Sequence, residues 1–175
     1  YYTNRSPFGA DGDFTTAPEI SQMFGELLGL CMAQYWIDIG RPTGTLAELG
    51  PGRGTLMADV LRATRAVPGF HDAVQVTLIE ASPALRDQQR QSLGTHLVTW
   101  LDSVEDLPEG PLLLLANEFF DALPIRQFSR HLAGWSETLV GLRDDRLSLG
   151  KGEPLPIPAL AHRMEDTAPG EVVEH

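Results

Sequence analysis

Glycines stand at 50, 52 and 54 in the stretch Glu48-Leu49-Gly50-Pro51-Gly52-Arg53-Gly54-Thr55. Gly takes φ > 0 and has no Cβ, so such a stretch turns sharply and lets a ligand lie against its backbone. A short apolar run, Thr45-Leu46-Ala47, enters the turn, and an amphipathic run, Leu56 to Arg65, leaves it. Strand, glycine turn and helix form the layout of a nucleotide-type cofactor site, with N–H groups of the helix's first turn offered to the ligand. A glycine-rich connection without any ligand is the plainer alternative. A second group is Asn117-Glu118-Phe119-Phe120-Asp121-Ala122-Leu123-Pro124. Two acids and an amide among two Phe are costly to desolvate without partners. If Glu118 opens a helical turn, Asp121 at i+3 shares its face. Paired carboxylates then grip a guanidinium through its planar fork of donors. A local cap or salt bridge for Glu118 competes with that reading.

Spacing separates the cofactor classes. A dinucleotide fingerprint, G-x-G-x-x-G, puts its third glycine at 55, where this chain has Thr55. Glu48 lies two residues before the first glycine, and an acid followed by G-x-G-x-G resembles motif I of the class I S-adenosylmethionine (SAM) methyltransferases. That resemblance implies that Glu48 lies near the methionine end of SAM and that the turn passes beside its ribose. Glu80 ends the next strand, where a carboxylate accepts hydrogen bonds from both ribose hydroxyls, in SAM as in NAD. An exposed strand-end acid fits Glu80 equally. Asp102 follows the third strand, where class I methyltransferases often place a carboxylate or amide near the adenine amino group, and Leu101 can pack on the adenine. Asn117 to Pro124 falls at motif IV, which borders the methyl donor and the substrate.

The elements that must position these residues alternate. Thr16-Ala17-Pro18-Glu19 reads as a capping box with Pro in the first turn. It opens a helix expected to reach about Ile39 and to stop at Gly40-Arg41-Pro42. Ile20, Met23, Phe24, Leu27, Leu28, Cys31 and Tyr35 share one face of that helix and are expected to be its core side. Val74 to Glu80, His96 to Trp100 and Leu112 to Ala116 read as strands, the last buried on both faces. Ser82-Pro83 caps a polar helix through Leu93. The alternation predicts a doubly wound α/β domain, whose ligands sit beyond the carboxyl ends of the strands. Ile125 to Phe128, Ser136 to Leu142 and Arg146 to Leu149 then predict a meander. The expected organisation is a single methyltransferase-type domain. It has an N-terminal loop and helix over 1–44, a cofactor-binding core over 45–124, a β-meander over 125–150 and an irregular segment over 151–175.

Composition narrows the class. The 175 residues are 42% hydrophobic and 21% charged, within the globular range. Net charge is −11 and the 13 Lys and Arg are scattered, which argues against a nucleic-acid partner. The longest strongly apolar run, Pro111 to Ala116, is far too short to span a bilayer. One cysteine, Cys31, allows no internal disulfide and is expected to be a core thiol. The five histidines have no metal spacing, so no metal is expected.

Tyr1-Tyr2-Thr3, Gly12-Asp13-Phe14-Thr15-Thr16-Ala17-Pro18-Glu19-Ile20-Ser21, Glu48 to Thr55 and Asn117 to Pro124 together resemble the MidA-like family of SAM-dependent methyltransferases. Its mitochondrial member is a complex I assembly factor and protein arginine methyltransferase. The resemblance covers nearly the whole chain in order. It implies a Rossmann-like class I fold, SAM as cofactor and an arginine-containing protein as substrate. Carried over by motif, Gly50, Gly52, Gly54 and Glu80 hold SAM, and Asp13 and Thr15 close over it from the N-terminal segment. Glu118 and Asp121 face the substrate. Chemistry alone gives Asp13 and the neighbouring threonines a local role, bonding nearby N–H groups. The expected location is the cytoplasm for a bacterial chain and the mitochondrial matrix for a eukaryotic one. Family members carry further helices and strands at both ends, so this chain is expected to be partial, with an exposed sheet edge. Two rivals remain: a non-catalytic assembly protein that keeps the fold, and an NAD(P)-dependent oxidoreductase, against which Thr55 and Pro51 speak.

Overall fold

The computed structural model describes residues 16–175. Those up to Ala122 form one compact unit and Leu123–His175 a second. In the first, β1 (Gly44–Leu49) pairs in parallel with β2 (Val74–Ile79) on one side and β4 (Leu112–Leu115) on the other. Strand β3 (Val98–Leu101) joins β2, giving the order β3-β2-β1-β4. The winding direction therefore reverses between β1 and β4. In open parallel sheets that reversal leaves a crevice at the strands' carboxyl ends, where ligands bind.

The connecting helices are α1 (Ala17–Ile20), α2 (Gln22–Asp38), α3 (Thr55–Thr64), α4 (Phe70–Ala73) and α5 (Pro83–Leu93). Leu46, Val76, Leu78, Leu113 and Leu115 of the sheet share a core with Ala33, Trp36, Leu56, Met57, Val60, Leu61, Phe70 and Leu93. A second cluster joins Ala47, Leu49 and Ile79 to Leu101, Leu107 and Phe119. The strand alternation explains the division, since successive side chains point to opposite faces. β4 departs from the expected two-sided burial: Leu113 and Leu115 are buried, whereas Leu112 and Leu114 are exposed.

α2 corrects the sequence reading most clearly. The expected long helix is broken at Ser21, whose backbone is extended. The face that α2 buries is Gly25, Gly29, Ala33 and Trp36, while Met23, Leu27 and Tyr35 are exposed. Cys31 is exposed too, not a core thiol. Backbone proximity is the cause. A Cβ built on Gly29 would stand 2.8 Å from Val60 Cα, and one on Gly25 would stand 2.6 Å from Asp59 Cβ. Helices approach this closely only where side chains are absent, so the smallest residues of α2 face α3. At its far end the Trp36 indole N–H donates to the Pro42 carbonyl at 2.8 Å, and its ring meets Phe70 edge-on.

The second unit is an antiparallel sheet of order β7-β6-β5-β8, made of β5 (Gln127–His131), β6 (Gly134–Arg143), β7 (Arg146–Lys151) and β8 (Val172–Glu174). The meander is present. β8 and a 3₁₀ segment, Pro158–Met164, lie within the stretch read as irregular. Phe128, Trp135, Leu160 and Val173 form this unit's core. Among the described residues no helix is long and apolar enough to cross a membrane.

The α2–α3 contact gives a direct test. Gly29→Ala drives a methyl group into the Val60 backbone and should destabilise the fold by about 1–3 kcal/mol, the usual cost of overpacking. Met23→Gln, on the exposed face, should stay within about 0.5 kcal/mol of wild type. Urea unfolding of both variants reads the contrast.

Candidate cofactor and substrate site

Gly50, Gly52 and Gly54 take φ of 57°, 53° and 81°, so the backbone after β1 is left-handed at three of five positions. The Gly50 N–H donates to the Ile79 carbonyl at 3.1 Å, fixing the turn to the end of β2. The Gly54 N–H closes the turn on the Pro51 carbonyl at 2.8 Å, and Gly54 then caps α3. Space is short as well as backbone freedom. A Cβ on Gly50 would stand 2.5 Å from Phe119 Cδ2, and one on Gly54 would stand 3.3 Å from Gln89 Cα.

Glu48 is 2% exposed at the end of β1. Burial pushes its carboxyl up to about 8, opposed by a hydrogen bond from the Met57 backbone N–H. Its Oε2 has no hydrogen-bond partner among the described residues. Glu80 follows β2 and accepts from the Ser82 N–H at 2.8 Å and from Gln89 Nε2 at 3.3 Å. Partial burial raises its pKa above the usual carboxylate value, and those two donors oppose the rise. Asp102 is exposed and paired with Arg86 Nη2 at 2.7 Å. Arg86 also donates to the carbonyls of Glu80 at 2.7 Å and Leu101 at 3.1 Å, clamping the ends of β2 and β3 together.

Gln89 was not singled out from the sequence. It is fully buried, and its Nε2 donates to the Gly52 carbonyl at 2.8 Å as well as to Glu80. Its Oε1 accepts from the Trp100 indole N–H at 2.8 Å. The legible signal was spacing, because Gln89 lies midway between Leu85 and Leu93 on the buried face of α5.

At the N-terminal side, the expected capping box does not form. Thr16 makes no side-chain cap bond. Glu19 instead accepts from Thr55 Oγ1 at 2.7 Å and from Arg53 Nη1 at 3.2 Å, joining α1 to the glycine turn. Asp13 and Thr15 lie outside the described residues.

Asn117, Glu118 and Asp121 follow β4, across the reversal from the glycine turn. Glu118 sits at φ 51°, and the helical turn opens later, at Phe120–Ala122. Glu118 and Asp121 therefore do not share a helical face by i, i+3 spacing, although both are exposed on one short loop. Phe119 links this loop to the glycine turn, since its ring occupies the space beside Gly50 and packs with Leu49 and Ile79.

Residues 27–175 match the family described as "Putative S-adenosyl-L-methionine-dependent methyltransferase". The chain belongs to this methyltransferase family. Among curated relatives, protein arginine methyltransferase NDUFAF7, mitochondrial, of Danio rerio is 40% identical over 81% of this chain and 39% of its own. The Xenopus laevis protein of the same name is 36% identical over 99% of this chain and 46% of its own. The chain thus spans less than half the length of these relatives. A crystal structure from Burkholderia thailandensis bound to S-adenosyl-homocysteine (SAH) is 31% identical, with a TM-score of 0.69, and is matched over 97% of this chain and 46% of that one. Membership in the family agrees with the resemblance first carried by the glycine turn and its companion stretches.

The residues present fit the family's cofactor. Three left-handed glycines follow β1 at the reversal, and Glu48, buried at the end of that strand, keeps an oxygen without a partner among the described residues. Glu48 also makes the unliganded fold sensitive to pH. A carboxyl raised by burial holds its proton longer when folded than when unfolded. Stability is therefore highest below the ordinary value of 4.5, declines as pH rises toward about 8, and is flat above that. Glu48→Gln should remove this decline, worth roughly a few kcal/mol. Urea midpoints of both forms between about pH 4 and pH 9 measure it.

Proposed function

We propose that this protein is a SAM-dependent methyltransferase acting on arginine in a protein substrate. The observation that carries the reading is the meeting of the Gly50–Gly54 turn and the Asn117–Asp121 loop at the reversal of strand order, with Phe119 seated against Gly50. One stretch supplies a cofactor cradle and the other supplies carboxylates beside it.

SAM supplies a methyl group activated on a sulfonium. In this reading Glu48 faces the methionine end, Gly50, Gly52 and Gly54 line the ribose side, and Glu80 accepts from the ribose hydroxyls. Asp102 and Asn117 border the adenine and the methyl donor, and Asp13 and Thr15 close the site. An arginine side chain arrives fully protonated, with five N–H donors and no acceptor. Glu118 and Asp121 would hold that guanidinium, orient one nitrogen in line with the methyl group, and draw off its proton. Alignment and electrostatics then account for the rate, and a carboxylate acting on a transferring proton contributes about 10²–10⁴-fold.

The curated relatives named protein arginine methyltransferase support the substrate class. The MidA-like resemblance extends it to assembly of respiratory complex I. The site of action would be the mitochondrial matrix in a eukaryote and the cytoplasm in a bacterium.

Methyl transfer to an arginine-containing protein, followed by mass spectrometry, tests the proposal. Glu118→Gln and Asp121→Asn should each lower the rate by about 100-fold. Both should leave SAH affinity, read by calorimetry, within about twofold of wild type. Tight SAH binding without methylation of any arginine protein would turn the reading into that of a non-catalytic member. Binding of NADH in place of SAH would overturn it.

A further inference from the structure

We propose that Gln89 is a positioning residue for the cofactor: its side-chain amide sets the orientation of both the glycine turn and the Glu80 carboxylate. The inference rests on the SAM-binding reading above. It concerns a residue that acts through the groups it holds.

The amide is used almost to capacity. Both N–H groups of Nε2 are committed, one to the Gly52 carbonyl at 2.8 Å and one to Glu80 Oε2 at 3.3 Å. Oε1 takes the Trp100 indole N–H at 2.8 Å. This set admits one orientation only. Rotating the amide by half a turn would face its oxygen to two acceptors and its NH₂ to a donor. The side chain is fully buried, so no solvent replaces a lost partner.

Each bond acts on a part of the ligand cradle. Holding the Gly52 carbonyl toward α5 turns the rest of that peptide away, because a peptide plane moves as a unit. Gly52 sits at φ 53°, so its plane has no regular secondary structure to fix it. The bond to Oε2 restrains the Glu80 carboxylate, whose other oxygen is held by the Ser82 N–H at 2.8 Å. Beyond the Ser82, Gln89 and Ala81 donors, the carboxylate keeps acceptor capacity for a ribose hydroxyl. Trp100 lies under the cation of Arg90, 4.8 Å from its ring centroid, and anchors Gln89 from β3. Packing adds a constraint. The Gln89 backbone lies where a Cβ on Gly54 would be 3.3 Å away, so turn and helix are fitted to each other on both sides.

Two substitutions in the full-length protein test this, each read by calorimetric titration with SAH. Gln89→Leu keeps most of the volume and removes all three bonds. It should weaken SAH binding about tenfold or more. Gln89→Glu keeps the acceptor for Trp100, and its new carboxyl can donate to Glu80 or to Gly52 only while protonated. Glu80 is the ionisable side chain it would face, with Arg86 held on the Glu80 carbonyl beside it. Relative to wild type, SAH affinity of this variant should be near normal at about pH 5 and fall about tenfold by pH 8. An ionised carboxyl is costly at any buried position, so the informative readout is the fall at about pH 8 in a variant whose circular dichroism stays that of the wild type. If Gln89→Leu does not fold, Gln89→Met, which also lacks all three bonds, takes its place. Wild-type binding of SAH with no loss in Gln89→Leu, or a flat ratio in Gln89→Glu, overturns the inference and leaves the cofactor reading standing. Absence of SAH binding by the wild type overturns both.

Discussion

Everything in the first unit depends on a reversal of the chain that only glycine can make cheaply. Within five residues after β1 the backbone adopts positive φ three times. A side chain at any of these positions would strain the backbone. At Gly50 it would also meet the Phe119 ring. The reversal delivers α3 onto the sheet, where Leu56, Met57, Val60 and Leu61 enter the core. It also brings the backbone to the crevice between β1 and β4. The same five residues therefore govern packing on one side and ligand access on the other.

The interior of the first unit also holds polar groups. Glu48, Asp59, Thr77 and Gln89 are all buried in a small unit. Most have partners, as buried polar groups require. Glu48 Oε2 and Asp59 Oδ2 have none among the described residues. An unpartnered oxygen in an apolar wall costs stability. Glu48 stands two residues before Gly50, where a ligand held by the glycine turn can supply the missing partner. Asp59 has a different setting, lying against Gly25 of α2 with Arg62 as its ion-pair partner.

Elements with strong local signals were legible in the sequence. The Thr45-to-Arg65 strand, turn and helix, the β-branched run of β2 and the Pro83 start of α5 all stand where their patterns put them. The glycine turn also carried the family. What escaped was decided by distance between elements. Hydrophobic periodicity chose Met23, Leu27 and Cys31 as the inner face of α2, because a glycine adds nothing to such a pattern. The structure chose Gly25 and Gly29, because absent side chains let the helices touch. Glu19 reads as half of a capping box until Arg53 and Thr55, far along the chain, are brought beside it. Gln89 looks like solvent-facing polarity until the turn's carbonyl and the Trp100 indole are seen to need it. Glu118 was given a helical neighbour by spacing, and its left-handed backbone denies it that geometry.

The correction at α2 has a practical consequence. The chain contains a single cysteine, and that thiol projects from α2 into solvent, two residues beyond the glycine pressed onto Val60. A maleimide-linked fluorophore would therefore attach at one place without entering the core. From there it would watch the helix that leads, through Ser21 and α1, to the carboxylate bound at the glycine turn. Movement of α1 against the glycine turn would become an optical signal, with no engineered label site required.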